Sequence, residues 1–312
     1  MSIDNDINAI AGVHLGKAGD GSAVKPYITP DTVDSTLLVA VPRVLNRTIY
    51  DIHDDDLPFE GYDTWNAYEF STLTTNGFPV TGTLRIVYPS HTPNIVESKS
   101  LKLYLNSFNM MRVADTIEDT IDTIELRIIQ DLCACIGDSG VEVGLVREEY
   151  STELSPFNYD FVAIDSIIDP TTIDFSHYNE SPDILVVEDD NGRYAHRYRS
   201  NVLRSNCRVT NQPDFGDVYI HFKGSKRVTV ESLLQYIVSM RKENHFHEEI
   251  CECIYKRLYD LLEPEELFVA CLYSRRGGID INPVRASSSD LHWKISHNLT
   301  NAYTTNRKTM KQ

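Results

Sequence analysis

Cys207 and Asp214 stand seven positions apart in Ser205-Asn206-Cys207-Arg208-Val209-Thr210-Asn211-Gln212-Pro213-Asp214. Turn-forming residues bracket the stretch. A thiol on a polar loop is a candidate nucleophile, and a neighbouring carboxyl is a candidate proton donor. Arg208, next in the chain, would favour the thiolate by its charge. Two plainer readings compete. Cys207 would be a buried structural cysteine, and Asp214 a turn carboxylate in Pro213-Asp214-Phe215-Gly216.

Three further strings carry chemistry-bearing residues. Phe246-His247-Glu248 opens a helical pattern. Glu248 is there either a first-turn charge on the helix dipole or an acceptor of two parallel N–H bonds from a guanine-like edge, with His247 beside it. Glu97-Ser98-Lys99-Ser100-Leu101-Lys102 starts another helix. Its free N–H groups at Ser98 suit a phosphate, and Lys99 adds charge; an ordinary cap followed by a solvated lysine reads equally well. Arg275-Arg276-Gly277-Gly278 follows a strand pattern. Two arginines beside two glycines admit close approach of an anion, or form a basic turn. The Cys-x-Cys pairs Cys133/Cys135 and Cys251/Cys253 fall in helical patterns, where positions two apart face different sides. Paired zinc spacing is absent, so no metal is expected. No Gly-x-Gly-x-x-Gly follows a strand, so a dinucleotide would not be held by a Rossmann module.

The elements that must position these residues repeat. Runs at 66–72 and 81–88, with Asn76-Gly77 between them, predict a hairpin. Leu101, Tyr104, Leu105 and Phe108 mark one helix. Val113, Ile117, Ile121, Ile124, Ile128 and Leu132 mark a longer one that Gly137 closes, before a strand at 141–147. The second half gives a strand at 217–222, a helix from Val230 capped by Thr229, a helix from Ile250 stopping near Pro264, and a strand at 267–273. Ser100-Leu101 and Tyr104 align with Ser232-Leu233 and Tyr236 at a constant offset of 132. The reading is an α+β chain of two similar modules, each an antiparallel sheet with two helices on one face. The join falls at 170–182, after an irregular arm over 1–35.

Bulk properties bound the partners. The chain has 312 residues and a formal net charge of -17, which argues against nucleic acid or an anionic membrane as main partner. Local cations at Lys99 with Lys102, Lys223 with Lys226-Arg227, and Arg275-Arg276 still suit a small anion. Six cysteines, no apolar run of membrane length and an acidic start predict a cytoplasmic protein with reduced thiols.

Four strings together, 97–109, 205–216, 246–248 and 275–283, resemble the NADPH-dependent 7-cyano-7-deazaguanine reductase family, in its long two-module form. The resemblance spans roughly 35–300. It implies tandem tunnelling-fold modules (36–175 with the cofactor motif, 176–312 with the cysteine) and a homodimer. It implies that Cys207 forms a covalent thioimide with the nitrile and that Asp214 supplies protons. Val96, Glu97, Ser98, His247 and Glu248 would hold the base; Ser98, Lys99, Arg276 and Gly277 would hold NADPH, two per turnover. Asn211 and Arg208 depart from the family pattern. An amidine-forming transferase on the same nitrile and a non-catalytic deazapurine-binding protein are the alternatives.

Overall fold

The computed structural model describes residues 32–147, 161–169, 172–191, 194–208 and 212–300. Most of the arm expected over 1–35, the chain beyond 300, and Asn211 lie outside these residues.

The first half runs β1 (Ala40–Pro42), α1 (Val44–Arg47), β2 (Glu60–Leu73), β3 (Pro79–Pro89), β4 (Asn94–Val96), α2 (Ser98–Asn106), α3 (Ile117–Ile136) and β5 (Glu142–Val146). A connection with β6 (Val162–Ala163) and α4 (Ile164–Ile167) follows. The second half runs β7 (Val187–Asp189), β8 (His196–Asn206), β9 (Pro213–Lys223), β10 (Lys226–Val228), α5 (Val230–Ser239), α6 (His247–Leu262), β11 (Glu266–Tyr273) and β12 (Ile279–Ala286), before α7 (Ser289–Thr300).

The two halves share details beyond element order. β1 pairs with β4, and β7 with β10, both antiparallel. Each long hairpin has a register shift in its first strand, at Ala67/Phe70 and at Ser200/Leu203. Helices α2 and α5 start at Ser98 and Val230, 132 residues apart, the same spacing that relates Leu101 to Leu233.

One eight-stranded sheet, ordered β5-β3-β2-β12-β11-β9-β8-β6, carries both halves. The expected all-antiparallel pairing fails at one edge, where β6 runs parallel to β8. The connection from β6 to β8 passes through α4 rather than a tight turn, and a crossover of this kind delivers a parallel strand. Strand β12 pairs with β2 from Ile279↔Ala67 to Ala286↔Glu60 and so fuses the halves. At this seam a Cβ on Gly61 would lie 1.9 Å from the Val284 carbonyl oxygen, so only glycine lets the strands approach.

Helical periodicity explains the layers. Ile124, Ile128, Leu132 and Ile136 recur at four along α3 and are all buried, packing with α2 over Trp65, Leu84 and Ile86. Full burial of such a side chain contributes about 1.5–3 kcal/mol. Val113, expected in this helix, precedes it. The helix begins where Thr116 accepts from the Asp119 N–H at 3.0 Å, and ends at Gly137 with φ 77°. Thr116→Ala is expected to destabilise the fold by about 1 kcal/mol in denaturant titration. In the second half α5 and α6 cover the same face of the sheet. Leu291 of α7 packs with Phe268, Ala270 and Val284 on the opposite face, an element that the sequence reading did not foresee.

Candidate active site

A narrow cleft opens where the halves meet. The first half gives it Trp65, Val96, Ser98 and Lys102; the second gives Cys207, Asp214, His245, His247, Glu248 and Arg276. The pairing of β2 with β12 produces this convergence.

Cys207 immediately follows β8 and Asp214 is the second residue of β9. Asp214 is therefore not a turn carboxylate. Its place opposite Ser205 in the ladder aims it from a rigid strand, and it is 6% exposed. Its Oδ2 lies 3.4 Å from His247 Nε2 and its Oδ1 lies 3.3 Å from Arg276 Nε. Cys207 is half-buried, a free thiol whose N–H donates to the Gln212 carbonyl at 2.8 Å. Arg208 does not fit its expected role beside the thiol. Its Nε donates to Glu249 Oε2 at 3.0 Å, and its Nη2 lies 3.0 Å from Asn46 Oδ1 and 2.8 Å from His245 Nδ1. The guanidinium is thus spent on a buried carboxylate.

His247 and Glu248 form the first turn of α6. The His247 ring stacks on Tyr273, with centroids 3.9 Å apart and planes inclined by 16°. Glu248 is 2% exposed. Burial, and after it the nearby Asp63 carboxylate, push its pKa up from 4.5 to about 8. Glu248 Oε1 and His247 Nδ1 are both buried and have no hydrogen-bond partner among the described residues. Trp65 Nε1, on a third cleft-lining residue, is likewise buried without a partner among the described residues, so the cleft holds unmet polar atoms from both halves.

Glu97 also has a structural task. It caps α2, its Oε1 accepting from the Lys99 N–H at 2.9 Å and its Oε2 from the Ser100 N–H at 2.7 Å. Ser98 lines the cleft. Lys102, which sequence reasoning names only as local charge, lines both this cleft and an adjoining pocket that includes Gly277 and Gly278. Its pKa is lowered, first by burial and then by the charges of Arg276 and Lys99. The Glu97 and Asp214 carboxylates oppose this lowering, so the Lys102 ammonium sits among charges of both signs at the cleft edge. Gly277, at φ 54°, brings backbone to this group, and a Cβ there would touch the Lys102 stem at 3.4 Å.

Behind Glu248 lies an ion network that the sequence reading missed. Arg43 and Arg285 both pair with Asp63, and Arg47 and Arg285 both pair with Glu252, from opposite halves of the chain. All five side chains are almost wholly buried. The available signal was charge inside strand patterns, as with Arg285 between Val284 and Ala286. Among the described residues no group of three His, Cys, Asp or Glu side chains is placed to hold a metal.

The family described as nitrile reductase, 7-cyano-7-deazaguanine-reductase N-terminal, matches residues 29–145. The family described as QueF-like protein matches residues 213–291. Together they span more than half of the chain. Among solved structures, the chain is similar to one described as the archaeosine synthase QueF-Like in the apo form. The identity is 15%, over 31% of this chain and 94% of that one, with a TM-score of 0.28.

Proposed function

The chain belongs to the QueF-type family of two-module nitrile reductases, and from that premise we propose that it reduces the nitrile of 7-cyano-7-deazaguanine to the 7-aminomethyl base for queuosine biosynthesis. Two NADPH are consumed per turnover. The observation that carries this reading is the pair of unmet atoms, His247 Nδ1 and Glu248 Oε1, on residues lining the same cleft as Cys207. A guanine-like edge offers adjacent N–H donors to such a carboxylate.

In this reading Glu248 and His247 hold the base edge, with backbone near Val96 and Ser98. Glu97 contributes by fixing the start of α2 and retains free lone pairs for the base. Cys207 gives its thiol proton to Asp214 as Sγ adds to the nitrile carbon, the triple bond becomes C=N in a thioimide, and Asp214 passes that proton to the nitrogen. NADPH supplies the hydride for each of two reductions. Between them Cys207 departs as thiolate and leaves an imine. Asp214, between His247 and Arg276, stays hydrogen-bonded to the nitrogen through each protonation. Ser98, Lys99, Lys102, Arg276 and Gly277 hold the phosphates, the cations suiting the 2′-phosphate as well. The two halves are tunnelling-fold modules in a cytoplasmic homodimer.

Incubation of the protein with the nitrile base in the absence of NADPH, followed by intact mass measurement, tests the adduct; no shift in mass would refute it. Lys99→Ala is expected to raise the KM for NADPH about tenfold with kcat little changed, the loss of one charged contact. An unchanged KM would remove Lys99 from the cofactor site. The transferase alternative keeps the adduct but uses an amine in place of hydride. Retention of the Ser98-Lys99 and Arg275-Arg276-Gly277 strings favours the reductase, and NADPH oxidation on addition of the base separates the two.

A further inference from the structure

Cys207 sits between two fastenings to one segment of the chain. On its N-terminal side the Asn206 N–H donates to the Glu243 carbonyl at 2.8 Å, and the His245 N–H donates to the Asn206 carbonyl at 3.1 Å. On its C-terminal side Arg208 buries its guanidinium against Glu249, His245 and Asn46. Glu249 is the common anchor. The oxygen that receives Arg208 Nε also accepts the Phe246 N–H at 2.8 Å, the bond that starts α6. That first turn carries His247 and Glu248. One carboxylate therefore fixes both the residues facing the base edge and the residue after the nucleophile. Asn46 lies on α1, so the fastening also reaches into the first half.

We propose that Arg208 is a positioning residue which, through Glu249, locks the Cys207 loop to the first turn of α6 and so sets the thiol against the nitrile. The proposal rests on the function assigned above for what the thiol attacks, but not for the lock itself. Arg208 touches neither the base nor NADPH in this scheme. Its action is geometric, and misplacement of a nucleophile by about 1 Å slows attack by up to about 100-fold.

Arg208→Met keeps the length and removes the fork. The expected result is adduct formation at least tenfold slower in time-resolved intact mass, with the affinity for 7-deazaguanine lacking the nitrile changed less than threefold. Hydrogen exchange at the Asn206 and Cys207 amides is expected to accelerate at least tenfold. Arg208→Lys, which restores charge without the fork, should recover part of both. In Arg208→Met the buried Glu249 loses a cationic partner, so Arg208→Leu with Glu249→Gln provides a folded control that lacks the lock without an uncompensated charge. Adduct formation and amide exchange within twofold of the unmodified protein, in either variant, would overturn the proposal. If the unmodified protein gives no adduct at all, the assigned function fails, and the exchange rates alone decide the lock.

Discussion

Cys207→Ala is expected to abolish both the mass shift with the nitrile base and the oxidation of NADPH, a loss on the order of 10⁴-fold or more, as when a covalent nucleophile is removed. The change should spare the fold. Cys207 is a half-buried free thiol, and the bond that closes its loop runs from its backbone N–H, which alanine keeps. The other five cysteines sharpen the test. Cys251, Cys253 and Cys271 are fully buried. Burial pushes the Cys253 thiol up to about 12 and the Cys135 thiol up to about 11, so neither presents thiolate near neutrality. Of the six, Cys207 alone lines the cleft. The unmodified protein should take up one equivalent of base and the alanine variant none. Retention of the adduct in the variant, with its melting temperature unchanged, would show that another group traps the nitrile.

Much of this site was legible because its residues sit at element ends, where local sequence is decisive. Helix starts at Ser98 and His247 follow from periodicity and capping, and Gly277 from its place after a strand. Other features depend on contacts distant in sequence. The pairing of β2 with β12 joins residues more than 200 positions apart, and no local signal predicts that Trp65 would share a cleft with Cys207. Two of the changed readings have their physical reason at the site itself. Pro213-Asp214-Phe215-Gly216 has turn composition, yet β8 offers it a ladder, and tertiary pairing overrides local preference. Sequence proximity sets Arg208 beside Cys207, but α6 presents a buried carboxylate that holds its guanidinium instead. The strand β12 escaped notice because Ile279–Ala286 contains Asp280, Asn282 and Arg285, which break an apolar pattern and whose partners lie largely in other elements.

Glu248→Gln gives the second large effect, and its pH dependence identifies the group. With its pKa raised from 4.5 to about 8 by burial and Asp63, the Glu248 carboxyl is mostly protonated in the free protein at pH 7. Its contribution to stability is full below about pH 4.5, where both folded and unfolded chains hold the proton. It falls as pH rises through the window to about 8, because the unfolded chain ionises first. Binding reverses the preference. Two N–H donors of the base edge favour the carboxylate, so the complex sheds the proton that the free protein kept. Titration calorimetry on the Cys207→Ala protein, in buffers of different ionisation enthalpy at pH 7, should therefore report a net release of protons on binding the base. Glutamine removes that release. It also turns one acceptor into an N–H₂ group facing a donor, and losing a charged hydrogen bond of about 1.5–3 kcal/mol lowers affinity by roughly 10- to 150-fold. A glutamine variant that binds as tightly, or an unmodified protein that takes up a proton, would place the base edge elsewhere. Arg43 and Arg285 act in the opposite sense to Asp63 and burial, holding the pKa near enough to neutrality for a ligand to shift it. The buried network behind Glu248 thus sets how much binding energy is spent on ionising the residue that recognises the base.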